Sequence, residues 1–116
     1  MGSPLCHFEF MCDNPEKCKQ FYAGVFGWEF DDQSFPGYTL IKTGTEPEGG
    51  LMKRPDDVPK PCMQVYFLVD DIPATVAKIK AGGGTIYHDE TEIPNVGWFA
   101  VAADPEGIVF GVFKVR

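Results

Sequence analysis

Residues 5–11, Leu5-Cys6-His7-Phe8-Glu9-Phe10-Met11, alternate in a way that suits a strand with two different faces. One face carries Leu5, His7, Glu9 and Met11, and the other Cys6, Phe8, Phe10 and Cys12. Asp13-Asn14-Pro15-Glu16 then supplies a cap candidate, a proline at the first helical position and an acid in the first turn. Apolar residues at 18, 21, 22, 25 and 26 continue as the stripe of a helix, which Gly27 is placed to stop. Trp28-Glu29-Phe30 predicts a short strand, as do Gly37 to Thr43 and, after the polar turn Pro47-Glu48-Gly49, Gly50 to Met52. Glycines and prolines between Thr43 and Pro61 break up any other regular element.

The same order then recurs. Met63 to Val69 reads as an apolar strand, Asp71-Ile72-Pro73 starts a helix that Gly82-Gly83-Gly84 closes, and Thr85-Ile86-Tyr87 is the next strand. His88-Asp89-Glu90-Thr91-Glu92 reads as a polar, solvated loop. Val96 to Phe113 is a hairpin whose two apolar runs flank Asp104-Pro105-Glu106-Gly107, with proline presetting the turn and glycine releasing it. Gly37 and Gly97 are 60 residues apart, Gly50 and Gly111 are 61 apart, and Asp13 and Asp71 are 58 apart, so the chain reads as two related halves.

The duplication predicts an α+β fold of two βαβββ modules in a single domain over residues 1–116. Module one covers 4–53, a connector 54–61 and module two 62–116. A sheet from one half covers only one face with its helix, so the two halves are expected to form a cupped mixed sheet whose inner face is a pocket.

Composition narrows the partners. Ten basic against 17 acidic residues give a net charge of −7, which repels phosphate backbones and anionic membranes. No apolar run approaches a membrane helix, and Cys6 stands where a myristoylation signal needs serine or threonine. The expectation is a cytoplasmic protein with no nucleic-acid or membrane partner. Cys6, Cys12 and Cys18 are too widely spaced for a zinc knuckle, and with Cys62 they are read as reduced thiols. Cys18, on a buried helix face, would serve as a small hydrophobe.

Four groups of residues carry a family likeness: His7-Phe8-Glu9-Phe10; Phe21-Tyr22 with Val25-Phe26-Gly27-Trp28; Gly49-Gly50-Leu51-Met52; and Val96-Gly97-Trp98-Phe99-Ala100 with Asp104-Pro105-Glu106-Gly107. Together they resemble the glyoxalase/bleomycin-resistance/extradiol-dioxygenase group, the vicinal oxygen chelate superfamily, and within it the lactoylglutathione-lyase-related branch. The resemblance implies the glyoxalase/bleomycin resistance/dihydroxybiphenyl dioxygenase fold, a homodimer and a small-molecule ligand. Metal-dependent relatives place ligands on the first and last strand of each half. Here His7 is the one candidate ligand; Val65 is set opposite it by the Asp13–Asp71 alignment, and Gly50 and Gly111 occupy the carboxylate positions. No cofactor is expected on this count, with a divalent metal conceivable only in a site rebuilt from His7, Glu9 and Glu48.

The expected ligand pocket is lined by His7, Glu9, Tyr38, Lys42, Phe67, Trp98 and Gly111. His7 is a hydrogen-bonding anchor or lone metal ligand, and Glu9, two residues on along the same face, the candidate acid or base. Gly50 and Gly111 are expected to enlarge the pocket floor, and Tyr38 and Trp98 to take equivalent places at its rim. Three functions follow: a glyoxalase-like binding protein without the family's full metal site; a metal-dependent lyase or isomerase acting on a small oxygenated substrate; or a structural subunit whose pocket Trp98 and Phe67 have filled. The sequence leaves open which of these holds, and so whether the protein is an enzyme.

Overall fold

The computed structural model describes residues 2–116. Its elements are β1 (Leu5–Cys12), α1 (Pro15–Phe26), β2 (Glu29–Phe35), β3 (Tyr38–Lys42), β4 (Gly49–Lys53), β5 (Cys62–Leu68), α2 (Ile72–Ala81), β6 (Thr85–Ile93), β7 (Gly97–Ala103) and β8 (Val109–Val115). This is the α+β arrangement of two βαβββ modules. The chain divides into two compact units, one of residues 7–64 and one of residues 65–116 with residues 2–6.

In the first unit the strand order is β2-β3-β4-β1, with β1 parallel to β4 and the other neighbours antiparallel. The side chain of Asn14 caps α1 by accepting from the Lys17 N–H, Pro15 is the first helical residue, and Gly27 ends the helix at φ 71°, a left-handed conformation that glycine adopts without cost. Phe10, Cys12, Ile41 and Leu51 form the core under α1, and Phe8, Cys18, Tyr22, Trp28 and Phe30 pack against it. The stripe on α1 is only half used, contrary to expectation. Cys18 and Tyr22 meet the core, while Phe21, Val25 and Phe26 are each more than half exposed.

The second unit repeats the pattern in the order β5-β8-β7-β6, with β5 parallel to β8. Asp71 caps α2 by accepting from the Ala74 N–H, and Ile72, Val76, Ala100 and Val112 form the core beneath the helix. The hairpin turn is held by Asp104, whose carboxylate accepts from the N–H groups of Glu106 and Ile108, with Gly107 at φ 94°. The polar stretch from His88 to Glu92 is strand, not loop. It belongs to β6 and pairs along β7 through two register shifts, and the His88 ring stacks on Phe99 at 5.1 Å between centroids. Its mostly polar side chains gave no alternation to read, because the strand is exposed along most of its length.

Candidate functional site

The register of each unit sets which side chains share a face. In the first unit Phe8, Phe10 and Cys12 point toward α1, so His7 and Glu9 point the other way. Ile41 is likewise on the α1 side, which leaves Tyr38, Leu40 and Lys42 on the face of His7 and Glu9. Glu9 pairs across the ladder with Gly50, and Leu40 pairs with Gly50 from the other side.

On that face the side chains form a hydrogen-bonded chain. Tyr38 Oη donates to Glu9 Oε2 at 2.8 Å, and His7 Nε2 lies 2.8 Å from the same hydroxyl. Glu9 is 9% exposed, and this contact gives its buried carboxyl a hydrogen-bond partner. The tyrosine ring reaches its place because position 50 has no side chain: a Cβ there would lie 1.8 Å from the Tyr38 oxygen. Gly50 therefore admits a tyrosine and does not deepen a pocket floor. Lys42, on the same face, sits 3.7 Å from the Glu48 carboxylate.

Tyr38 gives its one proton to Glu9, so its oxygen is left to accept from His7 Nε2 in the tautomer that carries a hydrogen there.

Burial lowers the pKa of His7, and a hydrogen bond to the Glu48 main chain opposes it in part. The folded state thus binds this proton less readily than the unfolded chain, whose imidazole titrates near 6.5. His7 contributes stability that is whole above pH 6.5 and is lost as pH falls from there through the lower folded value. Urea denaturation between pH 8 and pH 5 is expected to show wild type weakening below pH 6.5 and His7→Gln weakening less. Parallel curves for the two proteins would disprove the assignment.

The second unit shows the same device. Tyr66 pairs with Gly111, and a Cβ at 111 would lie 2.2 Å from the Tyr66 ring, which also makes an edge contact with Phe99 at 6.5 Å. Tyr66 is buried, and it stands to Gly111 on β5 and β8 as Glu9 stands to Gly50 on β1 and β4. Phe67 and Trp98 lie on the opposite side of this sheet. Trp98 packs on the cluster beneath α2 and carries Lys114 and Arg116 over its ring at 4.7 and 4.6 Å; Phe67 packs on Phe110 of the same cluster. The expected lining therefore separates: within its own unit each sheet puts His7, Glu9, Tyr38 and Lys42, or Gly111 with Tyr66 and Phe99, away from the helix, while Phe67 and Trp98 face α2. Two hollows of about 340 Å³ each also flank α2, one of them lined by Asp70, Asp71, Glu90, Trp98 and Lys114.

The helix caps correct the alignment between the halves. Asn14 and Asp71 are the caps, an offset of 57 and not 58, so Gln64 and not Val65 corresponds to His7, and Tyr66 corresponds to Glu9. In the hairpins, Leu40↔Gly50 and Val101↔Gly111 make Phe99, not Trp98, the counterpart of Tyr38. Gln64 and Tyr66 are the residues that the sequence reading missed, and the cap alignment was the signal for both.

The donors do not fit a divalent ion as they stand. His7 Nε2 is engaged by Tyr38, Glu48 lies beside Lys42, and positions 50 and 111 offer no carboxylate. Among the described residues no group of three or more His, Cys, Asp or Glu side chains gathers around one point.

Known proteins share this architecture. The chain is 37% identical over 109 residues to "Putative glyoxylase CFP32" of Mycobacterium tuberculosis (strain CDC 1551 / Oshkosh), a match covering 91% of this chain and 42% of that protein. It is 28% identical over 111 residues to the anthracycline biosynthesis protein DnrV of Streptomyces peucetius, covering 81% of this chain and 40% of that one. The chain thus spans less than half the length of these relatives. Among solved structures, the Mn(II)-bound glyoxalase from Novosphingobium aromaticivorans superposes with TM-score 0.71 at 17% identity, over 97% of this chain and 38% of that one. Methylmalonyl-CoA epimerase from Mycobacterium tuberculosis gives TM-score 0.69 at 15% identity, over 97% and 87% of the two chains. These two likenesses are of fold alone. Residues 7–113 match the Glyoxalase-like domain family, to which the chain belongs.

Proposed function

We propose that this domain binds a small oxygenated molecule through the His7–Tyr38–Glu9 chain, without needing a divalent metal. The observation that carries the reading is the Tyr38 hydroxyl at Gly50: where the family's metal-dependent members hold a carboxylate, this chain has a phenol bonded to both an acid and an imidazole. Such a group can donate to a carbonyl or carboxylate oxygen and accept from a hydroxyl, so it suits ligands with adjacent oxygens. Lys42 on the same face favours an anionic ligand over a neutral one, and Gly111 stands as a proposed second lining position. Trp98 and Phe67 leave the proposed lining because of the face they occupy, and Tyr66 joins it.

A second reading has an observation of its own in the hydroxyl that Tyr38 directs at Glu9. Glu9, taking or giving a proton through Tyr38, has the chemistry of a lyase or isomerase that moves a proton next to a carbonyl. The names of the relatives, a glyoxylase and an anthracycline biosynthesis protein, are in keeping with small oxygenated substrates. A homodimer, usual in the family, and residence in the cytoplasm belong to the same proposal.

The test is thermal denaturation with glyoxylate, lactate, catechol and an anthraquinone carboxylate, each with and without Mn(II), Ni(II) or Zn(II). At least one compound is expected to raise Tm by about 2 °C or more at saturating concentration without added metal, and Tyr38→Phe to abolish the rise. A response that appears only with metal, or that survives Tyr38→Phe unchanged, would overturn the proposal, as would no response to any of the four.

A further inference from the structure

A row of polar side chains crosses the first unit beside the Tyr38 hydroxyl. Phe8 and Ile41 both pair with Gly49, so one position further along each ladder His7 and Lys42 come level with Glu48, the residue that leads into β4. Lys42 is paired in turn with Glu29 of β2, and the row reads His7, Glu48, Lys42, Glu29. Residues directly opposite each other share a face of the sheet, so Lys42 stands between two acids. Its ammonium meets Glu48, with Nζ 3.7 Å from Oε1, and both side chains of that pair are nearly half exposed. The next row on the same face holds Glu9 and Gly50, with the Tyr38 hydroxyl seated at Gly50.

We infer that Glu48 is an internal stand-in for a ligand's carboxylate, and that it sets the specificity of the site by holding Lys42 until such a ligand displaces it. The inference rests on the ligand reading above and narrows it: the ligand is a carboxylic acid whose carboxylate goes to Lys42 while another of its oxygens meets the Tyr38 hydroxyl. Successive rows on one face of a strand are roughly 7 Å apart, so a single small acid reaches from one group to the other. A neutral ligand gains little at an ammonium that already has an anion beside it. A carboxylate brings the same charge as Glu48 and can close to hydrogen-bond distance, which the contact at 3.7 Å does not. An ion pair this exposed is weak, so Glu48 turns out to water at small cost.

Glu29 supplies the comparison within the same row. It carries the same charge and pairs with the same lysine, but from β2, on the side away from Glu9 and Gly50. Neutralising either acid raises the net charge by one, so the general gain in attraction for an anion is alike for both. Only the loss of Glu48 also frees Lys42 on the side where the ligand lies.

The experiment follows Tm over a concentration series of lactate and lactamide, and of an anthraquinone carboxylate and its amide, in wild type and in Glu48→Gln, Glu29→Gln, Lys42→Met and Tyr38→Phe. In at least one pair the acid is expected to half-saturate wild type at about tenfold lower concentration than the amide. Glu48→Gln should lower that concentration for the acid a further three- to fivefold, roughly the worth of an exposed ion pair, and leave the amide where it was. Glu29→Gln should move the acid less than about twofold, and Lys42→Met should bring acid and amide together. Acid and amide that bind wild type alike, or equal gains in Glu48→Gln and Glu29→Gln, would overturn the inference; if Tyr38→Phe still abolishes the response, the ligand reading stands without it. No response to any of the four compounds would overturn both. The comparison of acid with amide reads the wild-type protein, so a variant that fails to fold does not blunt it.

Discussion

Gly97→Ala is expected to destabilise the protein by about 3 kcal/mol, lowering Tm by roughly 10–20 °C. A Cβ at this position would lie 2.1 Å from the Lys114 carbonyl oxygen and 3.0 Å from the Phe113 ring. The first of these is backbone within the β7–β8 ladder, where Trp98 pairs with Lys114 and Gly97 with Val115, so it cannot turn aside as a side chain would. Relief requires parting the strands at the point where Trp98 begins to cover the core beneath α2. Gly107→Ala is the fitting control. It meets nothing within 4 Å and its cost is that of φ 94° alone, about 1–2 kcal/mol. Chemical denaturation of the two variants should rank Gly97→Ala well below Gly107→Ala. Equal losses would mean that the close approach of Lys114 is not what keeps glycine at position 97.

The same glycine shows what the sequence could and could not convey. Gly97 and the Asp104–Gly107 turn disclosed the hairpin, because turn chemistry is local and glycine and proline state it openly. The order of elements was equally legible: caps at Asn14 and Asp71, and alternation in β1, are short-range signals. The face of each strand was harder, since it depends on register, and a slip of one residue exchanges the two faces. Aligning Asp13 with Asp71 placed Val65 and Phe67 where Gln64 and Tyr66 belong, and an offset of 60 in the hairpin set Trp98 in the place of Phe99. His7, Glu9, Tyr38 and Lys42 share a face of the first unit whatever the offset between the halves. What no short-range signal could show is that the two glycines are occupied. Gly50 and Gly111 read as open floor until the rings of Tyr38 and Tyr66, far away in sequence, are seen above them. The α1 stripe failed for a related reason: spacing identifies an apolar face, but how much of it is covered depends on the width of the sheet beneath.

The occupancy of Gly50 leads to a thermodynamic cycle whose outcome bears on function. Gly50→Ala is expected to cost about 2–3 kcal/mol in wild type, because the new methyl group would stand 1.8 to 2.4 Å from the Tyr38 Oη, Cζ and Cε2 atoms. The ring must move, and in moving it leaves both Glu9 and His7, so the loss includes hydrogen bonds to a buried carboxyl and not only a steric term. In a Tyr38→Ala background the same methyl group enters vacated space, and its cost should fall below about 1 kcal/mol. The difference is a coupling energy of about 2 kcal/mol between residues 38 and 50, which urea denaturation of the four proteins measures directly. Tyr38→Phe divides that coupling further. It keeps the ring over Gly50 and deletes only the hydroxyl, so Gly50→Ala should remain costly in it while any ligand response is already gone. Additive losses around the cycle would show that Tyr38 does not depend on the missing side chain at 50. The reading of this site as a phenol standing in the carboxylate's place would then fall with them.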